Sequence, residues 1–275
     1  MTERAFRFGM VGVPQGTGEQ WRSTAQRVEE LGYATLLMPD GLQLLSPLPA
    51  LAVAASVTRH LRVGTFVMAS PLRPPGLAAW DAHSLSVLVD GRFELGIGTG
   101  RPEVVQQAAE LLGVPPGSGA QRLAQVEQTI DRLRQLDGDR HTPVLIAASG
   151  PKARALAAAR ADIVTVAGGP LVSRDEMLQM TAQLKTLAGE RAGRIELSMN
   201  IFVVGDEVPP WLQQLLGMDA ATLIAHDSLV MLRGTPSQMA DELRRRRDAF
   251  GVSYVTVNAA FFEQMAPVVE MLTGR

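Results

Sequence analysis

Three glycines, Gly96, Gly98 and Gly100, alternate in FELGIGTGRPE (93–103), with Thr99 and Arg101 beside them. Glycine has no Cβ, so such a run lets a ligand lie against bare backbone. The dinucleotide fingerprint would need G-x-G-x-x-G and an acidic residue about twenty positions further on. Here Arg101 stands where the third glycine belongs, and PGSGAQR (116–122) supplies neither strand nor acid. That chemistry is therefore excluded, and the run reads as a glycine-rich strand end or an ordinary tight turn. A second stretch, IAASGPKARALAAAR (146–160), joins a strand to a helix through a small-residue turn. Pro151 takes the first helical position, and Lys152 and Arg154 flank free helix-start N–H groups. This is the chemistry of an anion site, or of a proline-started helix with solvated charges.

The other polar candidates close predicted strands: Asp40 in LLMPDG, Ser70, and Asn258. A carboxylate such as Asp40 can orient a ligand or move a proton; it can also cap the next turn. His60, His83, His141 and His226 fall in neither H-x-x-x-H nor H-E-x-x-H spacing, so no metal site is expected. There is no G-x-S-x-G elbow. The absence of cysteine removes disulfides and thiolate catalysis. The run Arg244–Arg247 lies among Asp241, Glu242 and Asp248 and reads as a solvated helix face.

These residues need elements to hold them, and the hydrophobic pattern supplies an alternation. Strands are predicted at 6–13, 34–40, 61–70, 92–98, 143–149, 162–168, 196–205 and 253–258. Helices are predicted at 19–32, 48–59, 76–91, 102–112, 120–136, 151–161, 173–190 and 260–272, with helical material through 209–250. Eight strands buried on both faces, with no linker between them, predict one domain over residues 1–275. Its class is α/β, an eight-stranded parallel β/α (TIM) barrel. The rival is a two-domain doubly wound protein divided near DGDRHTP (137–143). In a barrel, the strand-end candidates converge on the C-terminal rim.

A formal charge of −2 gives nucleic acid no basic surface to meet. The N-terminal MTERAFRFGMVG lacks the long apolar run of a signal peptide, and windows such as PVLIAAS are too short to span a bilayer. A cytoplasmic protein with no membrane partner is expected.

Three blocks now carry a resemblance. HLRVGTFVMASPLRPPGLAAWDAHSLSVLVDGRFELGIGTG, PVLIAASGPKARALAAARADIVTVA and LRGTPSQMADELRRRRDAFGVSYVTV occur in the order found in the bacterial luciferase-like flavin/deazaflavin oxidoreductases. The resemblance runs from about residue 6 to 273 and implies a reduced flavin, FMN or coenzyme F420, at the C-terminal mouth. The segment VGTFVMASPLRPP is most similar to the deazaflavin branch. By that resemblance Phe66 and Val67 match a non-prolyl cis peptide backing the ring. Gly98, Thr99 and Gly100 match ring- and tail-side contacts. Ser149, Gly150 and Lys152, with Ala148 at the strand end, match the phosphate cradle. The family also implies a homodimer acting on a small-molecule substrate.

The departures shape the expected chemistry. Deazaflavin dehydrogenases of the family often carry Asp-His after the second strand, where this chain has Asp40-Gly41. A proton-transferring Glu is replaced by Arg101, and the stretch 136–143 is short. Alcohol oxidation is thus disfavoured. The expectation is an F420-dependent oxidoreductase delivering hydride to a C=C or C=N bond. Asp40 would orient the ring or donate a proton, and Arg101 would hold an acidic substrate or polarise the acceptor. The alternatives are an FMN-dependent monooxygenase and a flavin-binding barrel without turnover.

Overall fold

The computed structural model describes residues 4–113, 115 and 117–275. The chain runs β1 (Arg7–Val11), α1 (Gly18–Glu30), β2 (Thr35–Met38), α2 (Pro47–Ser56), β3 (Arg62–Thr65), β4 (Met68–Ala69), α3 (Pro75–Leu88) and β5 (Phe93–Gly98). Next come α4 (Pro102–Leu112), α5 (Gly119–Asp137), β6 (Val144–Ala148), α6 (Pro151–Arg160), β7 (Ile163–Val166), α7 (Arg174–Ala188) and β8 (Glu196–Ile201). It closes with β9 (Val203–Val204), α8 (Pro210–Leu216), α9 (Ala220–Ala225), β10 (Met231–Leu232), α10 (Pro236–Phe250), β11 (Val252–Asn258) and α11 (Phe262–Leu272).

The main sheet has the order β3-β2-β1-β11-β8-β7-β6-β5-β4, and a further β3–β5 pairing closes it. Since β4 continues the course of β3, eight parallel strand positions surround one axis. This is the expected TIM barrel, with its helices outside.

Local chemistry explains the helices. Thr17, Ser118, Ser173 and Thr235 each cap a helix in a capping box with Gln20, Gln121, Glu176 and Gln238. Helix α1 buries Trp21, Ala25 and Val28, a spacing that places them on one face against the sheet.

Three expected elements divide. The strand predicted at 61–70 breaks at Phe66-Val67, which is a cis peptide, and a short 3-10 turn covers Ser70–Leu72. The strand predicted at 196–205 leaves the barrel after Ile201, and β9 pairs with β10 in a separate small sheet. The helical material predicted over 209–250 splits into α8, α9 and α10 around β10. Gly217 (φ 70°) ends α8, and Asp219 caps α9.

The interior is layered. At the N-terminal end Arg7, Arg62, Glu94 and Glu196 meet inside the barrel. Arg7 is 2.8 Å from Glu94 and 2.7 Å from Glu196, and Arg62 is 2.7 Å from Glu94. Above them Leu37, Leu145, Ile163 and Tyr254 form a small apolar core, with Val11, Phe66 and Val67 packed on it. Gly9 makes room for Tyr254: a Cβ there would stand 3.0 Å from the hydroxyl. Burial, with the nearby Glu94 carboxylate, pushes the Tyr254 hydroxyl well above the usual tyrosine range, so it stays protonated.

The arginine run on α10 departs from its expected solvated face. Arg246 is only 3% exposed and donates to Glu242 (2.7 Å), the Leu229 carbonyl (2.7 Å) and the Met231 carbonyl (3.1 Å). It pins the connection between α9 and β10 onto α10. Burial works to raise the Glu242 carboxyl, yet hydrogen bonds from Arg246 and Arg174 hold it down at about 2. A depressed carboxylate stabilises the fold fully above its ordinary value of 4.5, and that contribution is lost as pH falls toward 2. Discounted for its partly solvated position, the loss should be about 2 kcal/mol. Glu242→Gln should remove that share of the acid sensitivity between pH 5 and 2.5. Equal pH slopes of the urea midpoint in wild type and variant would refute this.

Candidate active site at the C-terminal mouth of the barrel

The strand ends place most of the candidate residues on one rim. Phe66 and Val67 bulge from β3 into the interior and pack on its core. Gly98 ends β5 beneath them, where a Cβ would stand 3.0 Å from Val67 Cγ2. Gly96, one pleat lower, faces the Thr65 carbonyl so closely that a Cβ would fall 1.9 Å from its oxygen. The glycines of this strand therefore admit the bulge of the neighbouring strand. Gly100 has φ +78°, and a Cβ there would meet Pro71 and Val105 at 3.3 Å. Its requirement is set by the turn into α4, whereas the sequence pattern pointed to a ligand lying against it.

Asp40 is occupied by protein partners. Its Oδ2 accepts from the Ala69 amide (3.1 Å) and from Arg73 (2.5 Å), and its Oδ1 from Arg73 (3.3 Å). Its side chain is 3% exposed. The carboxylate thus ties the end of β2 to the chain just beyond the bulge, which fixes the apolar wall of the mouth. Arg73 was not singled out from the sequence. Its signal was an arginine directly before Pro74-Pro75, a place where the chain must turn.

Thr99 is fastened through its carbonyl, which accepts from Arg122 Nε at 3.1 Å; Arg122 also donates to the Gly117 carbonyl at 2.8 Å. Ser70 donates to the Arg122 carbonyl at 3.2 Å. Helix α4 lies over this edge, with Val104 and Ala108 packed on Ala69 and Leu72. Arg101 is the residue before α4; it is exposed and has no partner among the described residues.

On the opposite edge, α6 begins at Gly150-Pro151 with no side-chain cap. A Cβ on Gly150 would meet nothing within 4 Å. Arg154 turns back to the Ser149 carbonyl (2.5 Å), whereas exposed Lys152 has no partner among the described residues. The uncapped amides and one free cation therefore share this edge. Ala148 does not contribute its side chain: it is 0% exposed and belongs to the core between sheet and helices. A strand alternates faces, so the neighbouring Ala147 takes the inward position.

A polar wall completes the mouth, and sequence reasoning missed it. Thr165 and Ser198 are neighbours in register across β7 and β8. The hydroxyls of Thr165 and Ser198 are buried without a hydrogen-bond partner among the described residues. One step higher Thr256 donates to Asn200 Oδ1 at 3.0 Å. Asn258 serves as a cap, accepting from the Ala260 amide at 2.9 Å. The signal was the threonine, serine and asparagine alternating with Ile, Val, Leu and Met in these strands. The mouth is thus apolar along Val11, Phe66 and Val67 and polar opposite, which suits a flat amphipathic ligand held edge-on.

The histidines lie elsewhere. His83 meets Asp137 at 2.9 Å and His141 meets Asp162 at 2.8 Å, and Arg134 also pairs with both carboxylates. No helix among the described residues is long and apolar enough to cross a membrane.

Comparison with known proteins agrees with this geometry. The family model for luciferase-like monooxygenases matches residues 5–210. The chain is 32% identical over 126 residues to 4-hydroxyprotoasukamycin monooxygenase of Streptomyces nodosus subsp. asukaensis, covering 43% of this chain and 33% of that protein. It therefore spans only about a third of that relative's length. It is 26% identical over 240 residues to an F420-dependent glucose-6-phosphate dehydrogenase of Nakamurella multipartita, covering 75% of this chain and 70% of the other. Its fold is similar to that of the coenzyme F420 dependent tetrahydromethanopterin reductase of Methanopyrus kandleri, with a TM-score of 0.73 and 16% identity over 98% of this chain and 99% of that one. A closed parallel barrel with the broken third strand, matched by the family along most of its length, places the chain in the luciferase-like monooxygenase family.

Proposed function

We propose that the protein is an F420-dependent oxidoreductase that delivers hydride to a C=C or C=N bond of a small organic molecule. The observation that carries the reading is the open start of α6. Uncapped amides and the unpaired Lys152 face an edge of the mouth where a Gly150 Cβ would meet nothing. An anionic cofactor tail fits there, and a flat ring fits against Phe66 and Val67. The buried, unpartnered Thr165 hydroxyl offers that ring a hydrogen bond. When bound, the reduced deazaflavin supplies the hydride; the chain supplies position and surroundings.

Asp40 is a positioning residue in this scheme. With Arg73 it holds the Ala69 amide and so keeps the Phe66–Val67 wall in place. Arg101, exposed and unpaired, holds an anionic substrate group or polarises the acceptor atom. Asn200 and Thr165 orient the polar edge of the ring. The preference for F420 is supported by the F420-dependent relative, whose match covers 75% of the chain. A second reading, an FMN-dependent monooxygenase, is supported by the 32% identity to a monooxygenase. The proposal includes a cytoplasmic homodimer, for which exposed Leu77 and Trp80 on α3 offer an apolar face.

Titration with F420, FMN and FAD, followed by fluorescence quenching, separates the readings. F420 binding alone supports the first, and FMN binding with oxygen consumption supports the second. Binding without turnover over a broad substrate panel removes both.

Lys152→Ala should weaken the phosphate-bearing cofactor by about tenfold. A helix start gives a partly buried anion up to about 2 kcal/mol, a charged hydrogen bond about 1.5–3 kcal/mol, and about 1.4 kcal/mol is a factor of ten. Riboflavin or the phosphate-free deazaflavin core should bind wild type and variant alike. Equal weakening of core and phosphorylated cofactor would remove the cradle from α6.

A further inference from the structure

We infer that the protein carries a second small-molecule site, at the N-terminal end of the barrel, for an organic anion with an apolar body. A cavity of about 490 Å³ opens between α7, α10 and the sheet. It lies at the starts of β8 and β11, the end of the strands opposite the mouth, so it is separate from the site described above. Its floor is apolar: Leu184, Ala188, Ile195 and Leu197 are each at most 9% exposed. The size is within the usual range of ligand pockets.

Two features give the cavity a chemical preference. Ser253, where the β11–β8 register shifts, lines it; the residue is fully buried and its hydroxyl has no hydrogen-bond partner among the described residues. A buried hydroxyl without a partner is costly unless something fills its place. At the lip, exposed Lys185 lies beside Gly251, its Nζ 3.4 Å from where a Gly251 Cβ would stand. Lys185 forms no ion pair among the described residues, and neither does Arg4, which donates only to the Gly193 carbonyl. Among the described residues, the one carboxylate lining the cavity is Asp248. Cations at the lip over an apolar floor match a carboxylate, sulfonate or phosphate carried on a hydrophobic group. A neutral hydrocarbon would leave the cations idle, and a compact inorganic anion would leave the floor wet.

The test uses 1-anilinonaphthalene-8-sulfonate as the anionic probe and N-phenyl-1-naphthylamine as its neutral counterpart, on the full-length protein. Wild type should bind the sulfonate at one saturable site with a fluorescence rise. Lys185→Glu reverses a charge on an exposed residue and spares the fold. It should weaken the sulfonate by about tenfold and leave the neutral probe within about twofold. Ala188→Trp fills the cavity and should abolish both. Decanoate should compete with the sulfonate in wild type. Sulfonate affinity unchanged in Lys185→Glu would overturn the assignment, whatever the folding of Ala188→Trp. So would its full displacement by FMN, which would move the probe to the mouth.

Discussion

Gly96→Ala is expected to lower the melting temperature by about 10 °C or to prevent folding. The added methyl carbon would stand 1.9 Å from the Thr65 carbonyl oxygen and 2.9 Å from its carbon. Both are backbone atoms, so no side chain can turn away. The approach is also tied: the Thr65 hydroxyl donates to the Gly96 carbonyl at 2.6 Å, and β3 and β5 pair at this seam. Overpacking in a core costs about 1–3 kcal/mol and more where backbone must move. A figure of about 4 kcal/mol is reasonable here, against a total stability of about 5–15 kcal/mol. At roughly 2–4 °C per kcal/mol for a chain of this size, the melting shift follows. Gly98→Ala is the control. Its Cβ would meet only Val67 Cγ2, at 3.0 Å, and that side chain can yield. It should cost about 1 kcal/mol or less. Matching melting temperatures for Gly96→Ala and wild type would remove the packing explanation of this strand.

Arg7→Met should destabilise the protein by about 3–5 kcal/mol in urea unfolding, the range for breaking a buried ion pair from one side. Arg7 donates to both oxygens of Glu196 (2.7–3.0 Å), to Glu94 (2.8 Å) and to the Thr35 hydroxyl (3.2 Å). Its guanidinium lies 3.6 Å from the centroid of the Tyr254 ring. Glu94 is 3% exposed and would keep Arg62, but Glu196, at 12%, would lose its one cation partner among the described residues. The methionine fills much of the volume, so the charge left behind dominates the cost. Arg7→Met combined with Glu196→Leu should therefore recover a large part of the loss. A single variant within about 1 kcal/mol of wild type would mean that water reaches this layer and screens it.

The barrel was legible because its strands are apolar runs separated by helical periods, a pattern that survives without tertiary knowledge. The interior was not. Arg7, Arg62, Glu94 and Glu196 each read singly as a charged residue near a strand start. Only the closure of the sheet brings those starts together. Arg246 misled for the converse reason: it sits in a run of four arginines, and burial there is decided by β10 and the segment leading into it packing across it. The bulge at Phe66-Val67 came from the family resemblance; nothing in TFVMA itself breaks a strand. Of the rim residues, Gly150 and Lys152 stand where the pattern of a proline-started helix put them. Asp40 was placed at the right strand end, but its partner Arg73 is 33 residues away, and no local rule joins them.

The first and last strands of the barrel, β1 and β11, pair with each other, joining Arg7–Val11 to Tyr254–Asn258. During synthesis the first strand is made at the start, yet its second neighbour emerges only when nearly the whole chain is out. At about 5–20 residues per second, that interval is on the order of ten seconds or more. Throughout it, one edge of a growing parallel sheet presents unsatisfied amides and carbonyls, with the charged Arg7 facing in and Phe8 facing out. The ribosome-bound chain is thus a sticky open ribbon until its last strand docks. Slowing translation at any point between β1 and β11 would lengthen this exposure, and near the 3′ end it would do so when the open sheet is at its widest. Yield in the cell should therefore respond to codon choice more strongly in the segment encoding α10 and β11 than in the segment encoding α2 and α3.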